Sequence, residues 1–346
     1  MKEKIKQSYD RNYKKILVIP LIMLILSLSI IAYTYFKTGD FLRRDVSLTG
    51  GTTITVVSSL SHSEVQQALS KQFSDIEVSS LSDNTGKQTH LIIITSATKE
   101  QIVPALEAYL GHPLDLTGNG KDSVESTGSN LSQEFYRQLI LTVIIAFFWM
   151  AAVVFIIFTH KWKIRILAVI LNILFGIFLG KIFLALNLYI SLAILLAFAI
   201  VLIFIYIKYS IPSFAVMSCA FADIIMTLAI VDLIGMKISG AGIVAFLMLI
   251  GYSVDTDILL TTRVLRRKGT SVNHEILGAF KTGATMTLTA IAAVAVALIF
   301  VYSFQTALNQ IFTILIIGLI LDLFNTWVTN TSLIKWFAEK PAGSRT

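Results

Sequence analysis

Eight stretches of the chain, near residues 16–36, 139–158, 166–186, 188–207, 211–234, 240–262, 284–302 and 310–330, are almost uninterrupted runs of apolar side chains. A hydrocarbon core about 30 Å thick is crossed by roughly 20 such residues as a helix. Backbone groups at that depth must be bonded within the protein, so only helices or closed barrels cross. The expected fold is therefore a polytopic α-helical membrane protein of about eight spans. Composition agrees: 55% of the 346 residues are hydrophobic and 14% charged, against about 45–50% and about 25% in soluble domains. A soluble globular domain, a disordered chain and a disulfide-stapled domain are excluded. Cys219 is the single cysteine, so no intrachain disulfide forms, and it reads as a small packing residue. The first run is too long for a signal-peptide core and no small-x-small site follows it, so it reads as an uncleaved anchor.

Orientation follows from the cations. The formal net charge is +7. The excess lies in short segments beside the apolar runs, which is the positive-inside pattern rather than a nucleic-acid surface. Lys2, Lys4, Lys6, Arg11, Lys14 and Lys15 precede the first run; Lys161, Lys163 and Arg165 follow the second. Arg263, Arg266, Arg267, Lys268 and Lys281 follow the sixth, and Lys335, Lys340 and Arg345 follow the last. With both termini cytoplasmic, every one of these groups is cytoplasmic, and little beyond Lys181 and Lys237 falls in the opposite short loops. The expected location is the cell membrane, multi-pass, in contact with its lipids. The divisions are a basic tail over 1–15, a first span over 16–36, an extracytoplasmic region over 37–137 and a second span over 138–160. A cytoplasmic tail over 335–346 closes the chain.

Residues 37–136 carry twelve acids against seven cations, and about 100 residues suffice for a small core. Thr52 to Val57 alternate as a strand; Val65, Leu69 and Phe73 recur at helical spacing over 63–73. Ile76 to Leu81 predicts a second strand, 82–86 a turn, Leu91 to Thr95 a third strand, and Lys99 to Leu110 a helix closed by Gly111. A weak strand falls within 112–128. The order β-α-β-β-α-β predicts an α+β domain of ferredoxin-like arrangement. Nothing in it reads as catalytic. His62, His90 and His112 lack metal-ligand spacing, and Gly118-Asn119-Gly120-Lys121 lacks the hydroxyl residue and strand-helix context of a phosphate loop. No enzyme activity, cofactor or metal is expected.

Ionisable groups at bilayer depth are costly and mark pathways or relays by default. Asp223, Asp255, Asp257 and Asp322 all fall within apolar runs, whereas Asp232 lies near a run's end and is expected at interfacial water. Positions i and i+2 of a helix are about 200° apart, so Asp255 and Asp257 occupy different faces. Asp257 stacks with Ser253 and Thr261, and Asp255 aligns roughly with Arg263, a possible counter-charge. Asp322, Asn325, Thr326, Thr329 and Asn330 form a polar stripe, and Thr282, Thr285 and Thr289 form another. Two readings stand: interhelical hydrogen-bonding glue, or a proton- or ion-linked relay through Asp223, Asp255, Asp257 and Asp322. An intramembrane aspartyl protease is disfavoured, because Gly251-Tyr252-Ser253-Val254 precedes Asp255 where that class has Gly-x-Gly-Asp.

At these residues the chain resembles the SecD/SecF protein-export family, within the wider resistance-nodulation-division superfamily. Gly50-Gly51-Thr52 after the first span resembles the family's Gly-Gly-Thr motif. Gly251-Tyr252-Ser253, with Asp255 and Asp257 following, resembles the SecF signature in its archaeal form. The stretch from Ile211-Pro212-Ser213 to Asp223 and the stretch Asp322 to Asn330 resemble archaeal SecF spans. By that resemblance residues 161–208 are an inserted pair of spans and 209–334 the four-helix remainder of the bundle. The resemblance implies a non-enzymatic translocon subunit working with a SecD-like protein, a SecY-type channel complex and the translocating polypeptide. It further implies use of the proton or sodium gradient through the intramembrane aspartates. The rival is a stand-alone small-molecule or lipid exporter of that superfamily, which would carry two bundle halves where this chain carries one.

Overall fold

A computed structural model describes residues 12–73, 75–82, 87–115, 122–182, 188–301 and 307–340. Lys2, Lys4, Lys6, Arg11 and Arg345, the turn at 83–86 and the 118–121 stretch lie outside the described residues.

The elements in chain order are α1 (Val18–Thr38), β1 (Gly51–Val56), α2 (His62–Leu69), β2 (Glu77–Ser82), β3 (Gln88–Thr95), α3 (Lys99–Leu110) and β4 (Ser123–Thr127). There follow α4 (Ser129–Phe158), α5 (Trp162–Ile177), α6 (Leu188–Tyr209), α7 (Ile211–Ile234), α8 (Gly240–Leu265) and α9 (Val272–Val301). The last are α10 (Ala307–Asn325), a π-helical turn over Thr326–Asn330, and α11 (Thr331–Glu339).

Among the described residues, seven helices are long and apolar enough to cross a membrane, and the apolar helix Ala193–Tyr209 within α6 is a shorter one. The polytopic helical architecture is therefore as the sequence predicts, with seven such helices where eight runs were counted. α7 is the central helix, in contact with α1, α4, α6, α8 and α10. Its ends are set locally. Ser210 accepts a hydrogen bond from the Ser213 N–H, Pro212 occupies the first turn, and Gly235 closes the helix in the left-handed region at φ +79°. α8 starts on Ser239, whose side chain accepts from the Gly242 N–H. α8 and α10 approach closely because Gly318 faces Leu249: a Cβ there would lie 2.5 Å from a Leu249 methyl. α5 and α6 sit outside this centre, where Ala168, Leu202 and Tyr206 pack on Ala151 and Phe155 of α4 and Met217 of α7.

The four strands form an antiparallel sheet of order β2-β3-β1-β4. Ile54 is opposite Ile93 on one side and Val124 on the other. Alternation puts Thr52, Ile54 and Val56 on the buried face. There α2 contributes Val65 and Leu69, and α3 contributes Ile102 and Leu106. α3 begins with a Thr98–Gln101 capping box and ends on Gly111 at φ +78°. The elements match the order read from the sequence, and the weak strand resolves to Ser123–Thr127.

Asp75, just before β2, accepts from the Ser96 N–H at 2.6 Å and from the Thr95 hydroxyl at 3.2 Å. Burial pushes its carboxyl up, but these hydrogen bonds outweigh it and hold the group below its ordinary 3.8. A depressed folded-state value stabilises the fold above the unfolded value, and that contribution is lost as pH falls through the folded value. The domain's calorimetric transition is expected to drop on acidification below about pH 4, and Asp75→Asn is expected to flatten that drop. An identical acid profile in the variant would refute the assignment.

Candidate functional site

The site forms where α7, α8 and α10 meet. Asp223, Asp257 and Asp322 come one from each helix, and each is 0% exposed. Leaving an anion unpaired at such a place is expensive, and the neighbouring side chains answer it. Asp223 accepts from Ser253 Oγ at Oδ2 and from Asn325 Nδ2 at Oδ1, both at 2.6 Å. Asn325 Oδ1 in turn accepts from Thr329 at 3.3 Å. Asp257 Oδ1 accepts from Asn330 Nδ2 at 2.7 Å and from Thr326 Oγ1 at 2.9 Å. Thr326 Oγ1 also lies 3.2 Å from Asp322 Oδ1, and the Ser253 hydroxyl also faces Asp322. The three carboxyl groups and two hydroxyls thus alternate in one line, Asp223, Ser253, Asp322, Thr326, Asp257. An amide holds each end.

The π turn is what keeps that line straight. In an α-helix, position i+4 overshoots a full turn by about 40°. A π turn uses more residues per turn and drifts the other way. Asp322 to Thr326 is an α step and Thr326 to Asn330 a π step, so the drifts offset each other. Asp322, Thr326 and Asn330 remain on one side and all serve the Asp257 end.

The remaining expected residues are placed differently. Asp255 is exposed on the outside of α8, apart from the buried three. Gly251 and Tyr252 are exposed on α8 as well, while Ser253 of the same motif is buried in the line. Arg263 is half-buried, with its guanidinium against Gly278 and its charge beside Glu275; it forms no ion pair with any of the four aspartates. Thr282, Thr285 and Thr289 are exposed on α9, and their hydroxyls donate to the carbonyls of Gly278, Lys281 and Thr285. Their bonds are local, so the polar interior is built from α7, α8 and α10 without that stripe. Asp232 is 2% exposed rather than water-facing, with Arg43 as its neighbouring cation. Cys219, read as a packing residue, faces Asp257.

Gly50, Gly51 and Thr52 lie outside the bundle, where the domain joins it. Gly50 at φ +86° packs against the start of α4, Gly51 at φ +149° against Thr95, and the Thr52 hydroxyl donates to Ala97 O at 2.8 Å. Sequence reasoning missed the joint itself, the α7–α8 loop. Ile238 N–H donates to Arg43 O at 2.6 Å and Asp45 N–H donates to Ile238 O at 2.9 Å. Lys237 pairs with Glu77 of β2 at 2.5 Å. Gln310 of α10 accepts from the Ser239 N–H at 2.9 Å and donates to Lys237 O at 2.5 Å. A cleft of about 620 Å³ lies here, lined in part by Asp45, Glu77, Glu125, Lys237, Asn309 and Gln310. Lys237, an isolated loop cation, was the one visible signal.

Comparison with known proteins relates this chain to a family. The model of the family described as "Protein export membrane protein SecD/SecF, C-terminal" matches residues 180–340. The protein-export membrane protein SecF of Haloquadratum walsbyi is 31% identical over 333 residues, covering 95% of this chain and 94% of that one. The SecF of Pyrococcus furiosus is 27% identical over 345 residues, covering 99% and 97%. The SecF of Methanolacinia petrolearia is 46% identical over 151 residues, a match that takes in 43% of this chain and about half, 53%, of that relative. Among solved structures, SecDF of Thermus thermophilus, described as a translocon-associated membrane protein, aligns with a TM-score of 0.57 at 13% identity. The alignment covers 94% of this chain and 38% of that longer one, a likeness of fold.

Proposed function

Because the chain belongs to the SecF branch of the SecD/SecF protein-export family, we propose that it is an accessory subunit of the Sec translocon, assisting export of polypeptides across the membrane. The observation that carries the reading is the pairing of this family membership with a fully buried line of carboxyl groups and hydroxyls across three helices. In this reading the chain crosses the membrane eight times, with α6 as one of the crossings and both termini cytoplasmic. The sheet domain is a ferredoxin-like domain on the extracytoplasmic side, where it engages the translocating polypeptide. The partners are a SecD-like protein, which supplies the second bundle half, and a SecY-type channel complex.

The proton or sodium gradient is the proposed energy source, acting through Asp223, Asp257 and Asp322, with Asp255 presented outward to a partner. Moving one charge through 100 mV supplies about 2.3 kcal/mol. One or two ions per cycle bias a domain displacement of modest cost and not one of tens of kcal/mol. Removing Asp257 should therefore abolish the gradient-dependent part of export and leave the rest. Asp257→Asn is expected to reduce export in membrane vesicles about tenfold, the equivalent of about 1.4 kcal/mol, and to make the remainder insensitive to uncoupler. Full export with full uncoupler sensitivity in that variant would overturn the coupling. Recovery of a SecD-like protein and a SecY-type channel on purification in mild detergent tests the partners, and failure to recover either would overturn the assembly.

A further inference from the structure

The line of acids is not uniform, and hydrogen counting separates its two ends. Both oxygens of Asp223 receive a donor at 2.6 Å, one from an amide and one from a hydroxyl. That is the environment of a carboxylate, which only accepts. Asp257 and Asp322 differ. In each, Oδ1 is engaged and Oδ2 is buried without a partner. They share one hydroxyl, Thr326 Oγ1, at 2.9 and 3.2 Å. A hydroxyl carries a single hydrogen, so it donates to one of these carboxyl groups and turns a lone pair toward the other. If both were ionised, one would sit against that lone pair, its Oδ2 unpartnered, beside a second anion and away from water. Such an arrangement costs far more than carrying a proton.

No cation relieves it. The titratable groups facing the pair are Asp223 and Cys219, both from α7. On the packed neighbours, Glu275 is engaged by Thr270 and sits beside Arg263 and His274, Lys335 by Asn273 and Glu339, and Lys281 is exposed. α4 has no titratable side chain over 138–158. Among the described residues no three His, Cys, Asp or Glu side chains are arranged as metal ligands.

We propose that Asp257, Thr326 and Asp322 together hold one exchangeable proton, and that Asp223 is a fixed carboxylate which anchors the line without titrating. The inference rests on the ion-coupled reading above and divides its labour. Transfer runs through the shared hydroxyl. The O–H bond of the Asp322 acid breaks as a bond forms from that hydrogen to Thr326 Oγ1; the hydrogen already on Thr326 passes to Asp257 Oδ1. One proton moves from α10 to α8, no electron changes hands, and threonine is regenerated. The Ser253 hydroxyl also faces Asp322, but it gives its hydrogen to Asp223 Oδ2 at 2.6 Å, and Asp223 has no unpartnered oxygen as Asp257 and Asp322 do.

The test is infrared difference spectroscopy of the purified full chain in lipid vesicles, titrated across neutral pH. The carbonyl stretch of a protonated carboxylic acid reports the proton directly and needs no translocon, so its result stands apart from the export reading. The wild type is expected to show a titrating acid band. Asp223→Asn is expected to keep it, and Asp257→Asn and Asp322→Asn each to lose it near neutral pH. Thr326→Val, which leaves every carboxyl in place, is expected to move the band, because the acid loses its acceptor. Absence of the band in wild type, its loss in Asp223→Asn alone, or an unmoved band in Thr326→Val would overturn the proposal. So would a band abolished by sodium chloride at constant pH, which would assign the place to a metal cation.

Discussion

Asn325→Leu is expected to destabilise the bundle by about 1.5–3 kcal/mol, the worth of a hydrogen bond to a charged group. Asn325 and Asp223 are both 0% exposed, and the amide reaches Asp223 Oδ1 at 2.6 Å. Leucine is close in size, so the loss is not a cavity. It leaves a carboxylate with one hydrogen-bond donor where it had two. An ordinary interhelical hydrogen bond in a membrane protein contributes only about 0.6 kcal/mol. The size of the effect therefore distinguishes an ionised Asp223 from a neutral one. Thr329→Val, which removes a 3.3 Å contact to Asn325, should stay within the smaller figure. Adding Asp223→Asn to Asn325→Leu should recover much of the loss, because the charge goes with it. Unfolding in mixed micelles measures all four proteins, and a loss below about 1 kcal/mol for Asn325→Leu would refute a charged Asp223.

The second large effect lies in the domain. Gly50→Ala is expected to cost roughly 2–5 kcal/mol, the sum of about 1–2 for a side chain at positive φ and about 1–3 for forced overpacking. Gly50 sits at φ +86° and a Cβ there would fall 2.4 Å from the Ser129 Cα, which is backbone and cannot rotate away. Gly51 is as constrained, since a Cβ would meet Thr95 O at 2.3 Å. Gly111 is the control: at φ +78° with nothing within 4 Å, Gly111→Ala should cost only the conformational part, about 1–2 kcal/mol. Amide exchange along β1 and β3 of the full chain reads the difference, and equal protection in the two variants would remove the steric argument.

The spans were legible because apolar length is a property of the chain alone. The domain was legible for a similar reason: alternation in β1 and β3 and helical spacing in α2 and α3 are local. The acids stood out through their cost at depth, and the 200° between Asp255 and Asp257 already separated them. Which of the two faces inward was not legible, because that depends on where α7 and α10 pack. The threonines of α9 have the same spacing whether they bond across helices or, as they do, to their own backbone. The π turn has no sequence signature beyond the polar residues it aligns. The joint at Ile238 was invisible since an apolar side chain says nothing about where its backbone N–H and C=O go.

That joint gears the domain to the helix bundle. Ile238 sits at the corner where α7 passes into α8, and both its backbone groups are taken by residues 43–45. Hydrogen bonds of ordinary length yield by only a few tenths of an ångström before they weaken. A tilt of either helix is therefore delivered to Gly50 and Gly51 a few residues on, as a crank delivers the turn of its shaft to a rod. Gln310 grips the same corner from α10, so the three helices that bear the buried acids drive one crankpin. Gearing runs in both directions: whatever held the domain still would also hold α7, α8 and α10 in register.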